Sequence, residues 1–394
     1  MSAPRTVAVF TGSRAEYGLQ YPILLAIAAD PRLEYRLLAG GAHLDEDFGT
    51  TLDEIHADGF DVHARIDIAM EHDTLLATAQ AIGTGIVSLS RALDELSPDW
   101  LVVYGDRYES LAAVIAGTQM GIPTAHVEGG DYTEGGALDD SVRHAMTKLA
   151  HLHFATNAAA AERILRLGEE PWRVHTVGLP SLDLAASGRY AAPELVLQDL
   201  ELDVLRPILL FCQHSVATEA EKAAEQIRPS LQALTKLAGD GFQAVITYPN
   251  SDAGGRRMIA EIELLRGQRG IHIVKSLGGQ RFLGLLHAIG RLGRGAFVGN
   301  SSAGIKETPI FGCPVVNVGP RQQGRLRGDN VLDVPYDAAL IEAAVRRCVE
   351  DEDFRSRCRS GRNPYGSGDS GRLVAEILAT TPIGRSILQK KMTY

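Results

Sequence analysis

Short apolar runs rich in β-branched residues alternate along the chain with longer amphipathic stretches. This is the pattern of strands buried on both faces and joined by helices. In the first half the predicted strands are TVAVF, YRLLAG, WLVVYG, IPTAHV, LHFAT and VHTVG. The alternation lapses after Gly178, through LPSLDLAASGRYAAPELVLQDLELDVLRP, and restarts with ILLFCQH, QAVITYP, IHIVKS, AFVGN, PVVNVG and NVLDVP. The fold class that follows is α/β, with two doubly wound parallel sheets in series. We expect a first domain over residues 1–180, a linker over 181–206, a second domain over 207–370, and a helical segment over 371–394 that packs back on the first domain.

At 394 residues the chain exceeds one ordinary hydrophobic core, which agrees with two domains. A net charge of -10 argues against nucleic acid or an anionic membrane as the main partner, since both call for a basic face. Cys212, Cys313, Cys348 and Cys358 have neither metal spacing nor the density of a disulfide framework. The apolar run Val7 to Phe10 is too short for a signal peptide or a membrane span. These features predict a soluble cytoplasmic protein with reduced thiols.

Ligands of open parallel sheets sit beyond the carboxyl ends of the strands, and nearly every polar cluster here directly follows a predicted strand. Loops of both domains are thereby expected to face one cleft. TGSRAEYG places Arg14 and a glycine turn at the mouth of the first helix, suited to an anion; an ordinary turn capped by Ser13 is the alternative. GDRYES offers Asp106 and Arg107, and a lone Asp there is often only a helix N-cap. HVEGGDYTEGGALDDSVRH concentrates Glu128, Asp131, Glu134, Asp139 and Asp140 with Arg143 and His144. Capping and solvation account for Asp140, Glu134 and Asp131, but less well for Glu128, which ends a central strand before Gly-Gly and suits acid–base work. Asp139 and Arg143 have the spacing of neighbours on one helical face.

In the second domain His214 ends the first strand, where it meets the cleft. GNSSAGIKE sets Asn300, Ser301 and Ser302 before a helix start, with Glu307 about one turn on to accept from ribose hydroxyls; an N-cap with a first-turn acid is the alternative. Arg321, Arg325 and Arg327 follow in a glycine-containing loop that serves phosphate, cleft ordering or plain solvation. No spacing matches a zinc or EF-hand pattern, so neither a metal nor another cofactor is expected. His151 and His153 read as core and edge residues of a strand.

Taken in order, TGSRAEYGL, GDRYE, HVEGGDYTEGGALDDSVRHAMTKLAHLHF, QHSVATE, YPNSDAGG, GNSSAGIKETPIFGCPVVNVGPRQQGR and NPYGSGDSGRLV resemble the hydrolysing UDP-N-acetylglucosamine 2-epimerases of sialic-acid-type pathways. The resemblance implies two Rossmann-like domains in the glycosyltransferase-B fold, a homodimer or homotetramer, and UDP held mainly by the second domain. It implies elimination of UDP across C1–C2 to give 2-acetamidoglucal, then hydration to N-acetylmannosamine. By the same resemblance Asp106, Glu128 and Asp139 match the essential acids, Arg143 and His144 match the Arg-His that follows them, and Arg14, His214, Ser301, Ser302 and Glu307 match nucleotide-contacting positions. We take Arg143 and His214 as catalytic together with the acids, and expect substrate or UDP contacts from Arg14, Arg107, His144, Asn250, Asn300, Ser301, Ser302, Glu307 and Arg321. We take Glu128 as the base for the C2 proton and Asp106 as its partner; Asp139 alternatively only orients Arg143.

Two departures matter. The family's His-Pro after the first strand of the second domain is His214-Ser215 here. The segment between Glu128 and Asp139 is longer than in the animal enzymes, which makes Asp140 the fallback for Asp139 and touches the sugar side of the pocket. Related epimerases acting on UDP-2,4-diacetamido-2,4,6-trideoxyglucose, in legionaminic acid pathways, share the motifs and supply the alternative substrate. A non-hydrolysing epimerase, a glycosyltransferase of the same fold and a catalytically silent UDP-sugar sensor are the remaining readings.

Overall fold

The structure, a computed structural model, describes residues 3–44, 51–68, 75–132, 138–249 and 254–394. Two compact units divide the chain, the first comprising Met1–Tyr132, Leu138–Asp183 and Tyr365–Tyr394, the second Leu184–Pro364.

The first unit holds a seven-stranded parallel sheet: β1 (Arg5–Thr11), β2 (Leu33–Gly40), β3 (Val62–Ile66), β4 (Trp100–Tyr104), β5 (Thr124–Val127), β6 (Leu152–Ala155) and β7 (Val174–Thr176). Their order is β3-β2-β1-β4-β5-β6-β7, so the winding reverses between β1 and β4. Successive residues of β1 serve opposite faces, as the strand period requires. Val7 and Val9 pack with Ile23, Leu24 and Ile27 of the helix Arg14–Ala29 and with Val374 and Leu378 of the helix Ser370–Thr380. Ala8 and Phe10 face Leu89, Leu93 and Val114 on the other side. The helix Ser370–Thr380 is fastened at both ends: Ser370 N and Gly371 N donate to the Asp183 carboxylate at 2.9 and 2.6 Å, and Trp100 Nε1 donates to Leu378 O at 3.1 Å.

Strand β3 is absent from the sequence expectation. It is an edge strand whose sequence, VHARI, alternates half-buried and exposed residues and buries only Ile66, so it lacks the apolar run that marks the central strands.

The second unit repeats the architecture with β8 (Ile208–Cys212), β9 (Gln243–Thr247), β10 (Ile271–Val274), β11 (Gly295–Gly299), β12 (Val315–Val318) and β13 (Val331–Val334). The order β10-β9-β8-β11-β12-β13 puts its reversal between β8 and β11. Residues 181–206 contain helices Ser181–Ala186 and Pro193–Asp199, and Val196, Leu197 and Leu200 are buried in one core with Leu210, Leu285 and Phe297.

Candidate active site

In the first unit the two acids singled out from the sequence stand at the carboxyl ends of adjacent strands. Tyr104 of β4 is paired with Val127 of β5, so Asp106 and Glu128 leave the sheet side by side. The backbone turns sharply at both exits: Gly105 has φ 70° and Glu128 has φ 64°. For glutamate this left-handed conformation costs on the order of 1–3 kcal/mol, and such strain gathers at functional positions. Glu128 is 8% exposed, and its amide donates to Phe154 O of β6 at 2.9 Å. Beside it the Tyr104 phenol is pushed well above its ordinary value by burial and then by the Glu128 charge.

Arg143 joins the two acids. It lies on the helix Leu138–Leu149, is buried, donates to Asp106 Oδ2 in an ion pair, and donates through Nη1 to Glu128 O at 3.3 Å. Burial opposes its charge, yet Asp106, Glu128, Asp131 and Asp140 together raise its pKa. The N-cap alternative for Asp106 does not hold, because Arg107 occupies the N-cap position of the next helix and makes no side-chain cap bond. Asp140, one turn before Arg143, lies 3.8 Å from its Nε. The side chains of Arg14 and Asp139, and Asn250 as a whole, lie outside the described residues. His144 is half-buried, and its Nδ1 is enclosed without a hydrogen-bond partner among the described residues.

Arg107 makes a fork to Glu109, Nε to Oε2 at 3.1 Å and Nη2 to Oε1 at 2.9 Å, so part of its capacity is spent within the protein. Sequence reasoning passed over what lies behind it. Glu109 and Glu16 are both buried at the β1/β4 reversal. Glu16 accepts from Gly12 N at 2.7 Å and shares a hydrogen bond with the Ser110 hydroxyl at 2.5 Å. Burial pushes its carboxyl up to about 8. Ser13 supplies the cap expected of it, accepting from Glu16 N at 3.3 Å. The signal was present as the S-x-x-E spacing of a capping box, though here the acid reaches back to Gly12 rather than to Ser13.

His126 is a second residue missed as a participant. Fully buried on β5, it is pushed down to about 3 by burial and so is neutral. Its Nε2 donates to Gly105 O at 2.7 Å, since a carbonyl can only accept, which leaves Nδ1 to accept from Thr147 Oγ1 at 3.1 Å. It thereby ties the residue before Asp106 to the helix of Arg143. His151 and His153 are both interior: His151 Nδ1 accepts from Thr124 N at 3.0 Å, and His153 Nε2 lies 3.0 Å from Glu169.

In the second unit the predicted residues gather at the β8/β11 reversal. Asn300 accepts from His214 N at 2.6 Å and donates to His214 O at 2.9 Å. Its side chain is spent on locking the backbone of His214, and its own carbonyl accepts from Arg321 Nη1 at 3.1 Å and Gln322 Nε2 at 2.9 Å. His214 Nε2 lies 3.5 Å from Cys212 Sγ. Ser301 holds the N-cap position of the helix Ser302–Lys306 but makes no side-chain bond to its amides, and Glu307 is the C-cap residue. Simple capping by Ser301 therefore does not account for the Ser301-Ser302 pair. Gly304 lets this helix lie on the sheet, for a Cβ there would stand 2.6 Å from the Phe297 ring. Arg325 donates to Gln322 Oε1 at 2.8 Å, and Arg327 pairs with Asp333 and donates to Gln322 O at 2.7 Å.

Among the described residues no helix is long and apolar enough to cross a membrane. No group of three His, Cys, Asp or Glu side chains among them is placed to hold a metal ion.

Comparison with known proteins adds the following. The sequence profile of UDP-N-acetylglucosamine 2-epimerase matches residues 25–379. The chain is 32% identical to the UDP-N,N'-diacetylbacillosamine 2-epimerase (hydrolyzing) of Legionella pneumophila over 391 residues, 99% of this chain and 100% of that protein. It is 31% identical over 354 residues, 89% of each chain, to the UDP-N-acetylglucosamine 2-epimerase of Neisseria meningitidis. Among solved structures, the UDP-GlcNAc 2-epimerase from Neisseria meningitidis bound to UDP-GlcNAc shares the fold with a TM-score of 0.79 at 19% identity, covering 95% of this chain and 99% of that one. With two doubly wound parallel-sheet units in the glycosyltransferase-B fold and a profile match over most of its length, the chain belongs to the UDP-N-acetylglucosamine 2-epimerase family.

Proposed function

We propose that the protein is a hydrolysing UDP-sugar 2-epimerase of nonulosonic (sialic-type) acid biosynthesis. Glu128 takes the C2 proton of a 2-acetamido sugar nucleotide as the C1–O bond breaks and UDP leaves with the electron pair. The C1=C2 glycal then receives water, hydroxyl at C1 and a proton at C2 from the opposite face. Asp106, fixed by Arg143, is the partner acid–base group, and His214, Ser301, Ser302, Glu307 and Arg321 hold UDP. The observation that carries this reading is the strained, buried Glu128 beside the Asp106–Arg143 pair: a carboxylate held at a fixed strand end is what proton abstraction from carbon requires.

Two sugars compete. We place UDP-N,N'-diacetylbacillosamine, the 2,4-diacetamido-2,4,6-trideoxy sugar nucleotide, first, because the Legionella pneumophila relative named for it matches over its entire length. UDP-N-acetylglucosamine, the first expectation from sequence, is the second reading, supported by the Neisseria meningitidis relative. A proton NMR time course with each nucleotide, in deuterated buffer with a chelator and no acceptor, tests both. The expected result is free UDP together with the 2-epimeric free sugar carrying deuterium at C2. Return of an epimerised sugar still joined to UDP would replace the hydrolysing reading with the non-hydrolysing one, and two unchanged nucleotides would sink both substrates.

A further inference from the structure

The helix that bears Asp139, Arg143 and His144 ends in a group of side chains for which the chemistry above has no use. Leu138–Leu149 is 12 residues long, so Arg143 lies less than about two turns from its last residue. The final carbonyls of a helix have no amide to receive and carry the negative end of its dipole. Here Lys390 Nζ donates to Lys148 O at 2.7 Å, Ala150 O at 2.7 Å and Thr147 O at 3.4 Å. The same ammonium pairs with Glu169 Oε2 at 2.7 Å, while Glu169 Oε1 accepts from Lys148 Nζ at 2.6 Å.

Lys390 is itself held in place. The fully buried Arg173 donates to Ile387 O at 2.7 Å, Ser386 O at 2.9 Å and Gln389 O at 3.2 Å, and also to His151 O at 3.0 Å. Lys391 N donates to Glu170 Oε2 at 3.1 Å. A lysine that merely anchored the tail would be satisfied by Glu169 alone; three carbonyls at one helix end are a different arrangement.

We propose that Lys390 is a positioning residue for the reaction: by closing the carboxyl end of the helix Leu138–Leu149 it fixes the seat of Arg143 against Asp106 and Glu128. The inference rests on the reading of those acids as the reacting groups. Burial lowers the Lys390 ammonium to about 8 against the pull of Glu169, with Lys148 and Arg173 also opposing it. His151 and His153 nearby are pushed down to about 4 by burial and are neutral. A charge kept where burial and two cations work against it is held there by the carbonyls and the carboxylate.

The test is Lys390→Met in the full chain, read by UDP release and by hydrogen exchange of residues 138–151. The expected result is a fall in kcat of about tenfold or more with KM within about twofold, as a displaced catalytic group produces, and faster exchange at the end of the helix. Lys390→Arg, which keeps the charge and donors, recovers most of kcat. Wild-type kcat in Lys390→Met, or an equal loss in Lys390→Arg, overturns the proposal. If Lys390→Met does not fold, Lys390→Gln is judged by the same two readings. Should the wild type turn over neither sugar nucleotide, the reading of the acids has failed; unchanged exchange in 138–151 overturns the closing role of Lys390 whether or not turnover is seen.

Discussion

Replacing Glu16 by glutamine should stabilise the first unit at alkaline pH. The Glu16 carboxyl is 4% exposed, and burial raises it from an ordinary 4.5 to about 8. Between those values the folded chain holds a proton that the unfolded chain has lost. Stability therefore falls by about 1.4 kcal/mol per pH unit as pH rises through this window. The contribution is fully present below about pH 4.5 and gone above about pH 8, a difference on the order of 5 kcal/mol. Buried His43, His126, His151 and His153, all pushed down by burial, act in the opposite sense, losing stability as pH falls below 6.5. The range from pH 6.5 to 8 is accordingly the informative one. Glutamine keeps an oxygen for Gly12 N and an amide for Ser110 Oγ, and carries no titrating proton. Both tryptophans, Trp100 and Trp172, lie in the first unit, so urea unfolding followed by tryptophan fluorescence reports that unit. We expect the variant to lack one proton's worth of slope and to exceed the wild type by about 2 kcal/mol or more at pH 8.5. An unchanged slope between pH 6.5 and 8 would refute the assignment of a protonated Glu16.

Three other substitutions follow from the same geometry. Glu128→Gly relieves a left-handed φ of 64° and should leave the chain no less stable in thermal unfolding while cutting UDP release by about 100-fold or more; retained turnover would remove Glu128 from the chemistry. Asn300→Ala deprives His214 of both backbone partners and should weaken UDP binding about tenfold, or some 1.4 kcal/mol, in calorimetric titration; wild-type affinity would mean that the loop holds its shape without the clamp. Gly304→Ala drives a methyl to within 2.6 Å of the Phe297 ring and should cost about 1–3 kcal/mol, seen as earlier melting of the second unit by circular dichroism; an unchanged transition would mean that the ring gives way freely.

Strands buried on both faces announced themselves in sequence as short continuous apolar runs such as WLVVY, and β8, β9, β11 and β12 of the second sheet are of this kind. Edge strand β3 escaped because its side chains face water on alternate positions. The site was legible as far as strand ends could be located, which placed Asp106, Glu128, His214 and Asn300. The division of labour between a group that meets a ligand and one that holds its neighbour was not legible. Asn300 and His126 both carry polar groups suited to binding, yet each spends them on backbone or side-chain partners. Sequence spacing reaches only helical neighbours such as Asp139 and Arg143, whose pairing lies outside the described residues, and the ion pair of Arg143 with Asp106 spans 37 positions. Contacts of that range depend on strand order, which no local pattern encodes.

That strand order also explains how a strained carboxylate is kept in place. Holding Glu128 at positive φ costs on the order of 1–3 kcal/mol. Its amide is fixed by Phe154 of β6, and its carbonyl by Arg143. Hydrogen bonds of these two kinds contribute roughly 0.5–1.5 and 1.5–3 kcal/mol, enough to offset the strain. On the other strand, Gly105 N donates to Val127 O at 3.0 Å and Gly105 O accepts from His126. Each exit is thus braced by the strand beside it, and Arg143 bridges Asp106 and Glu128 from a helix that His126 contacts through Thr147. The proposed reaction, which removes a weakly acidic proton from carbon, would gain most from groups that need not reorganise. The parallel register of β4, β5 and β6 supplies that rigidity before any substrate arrives.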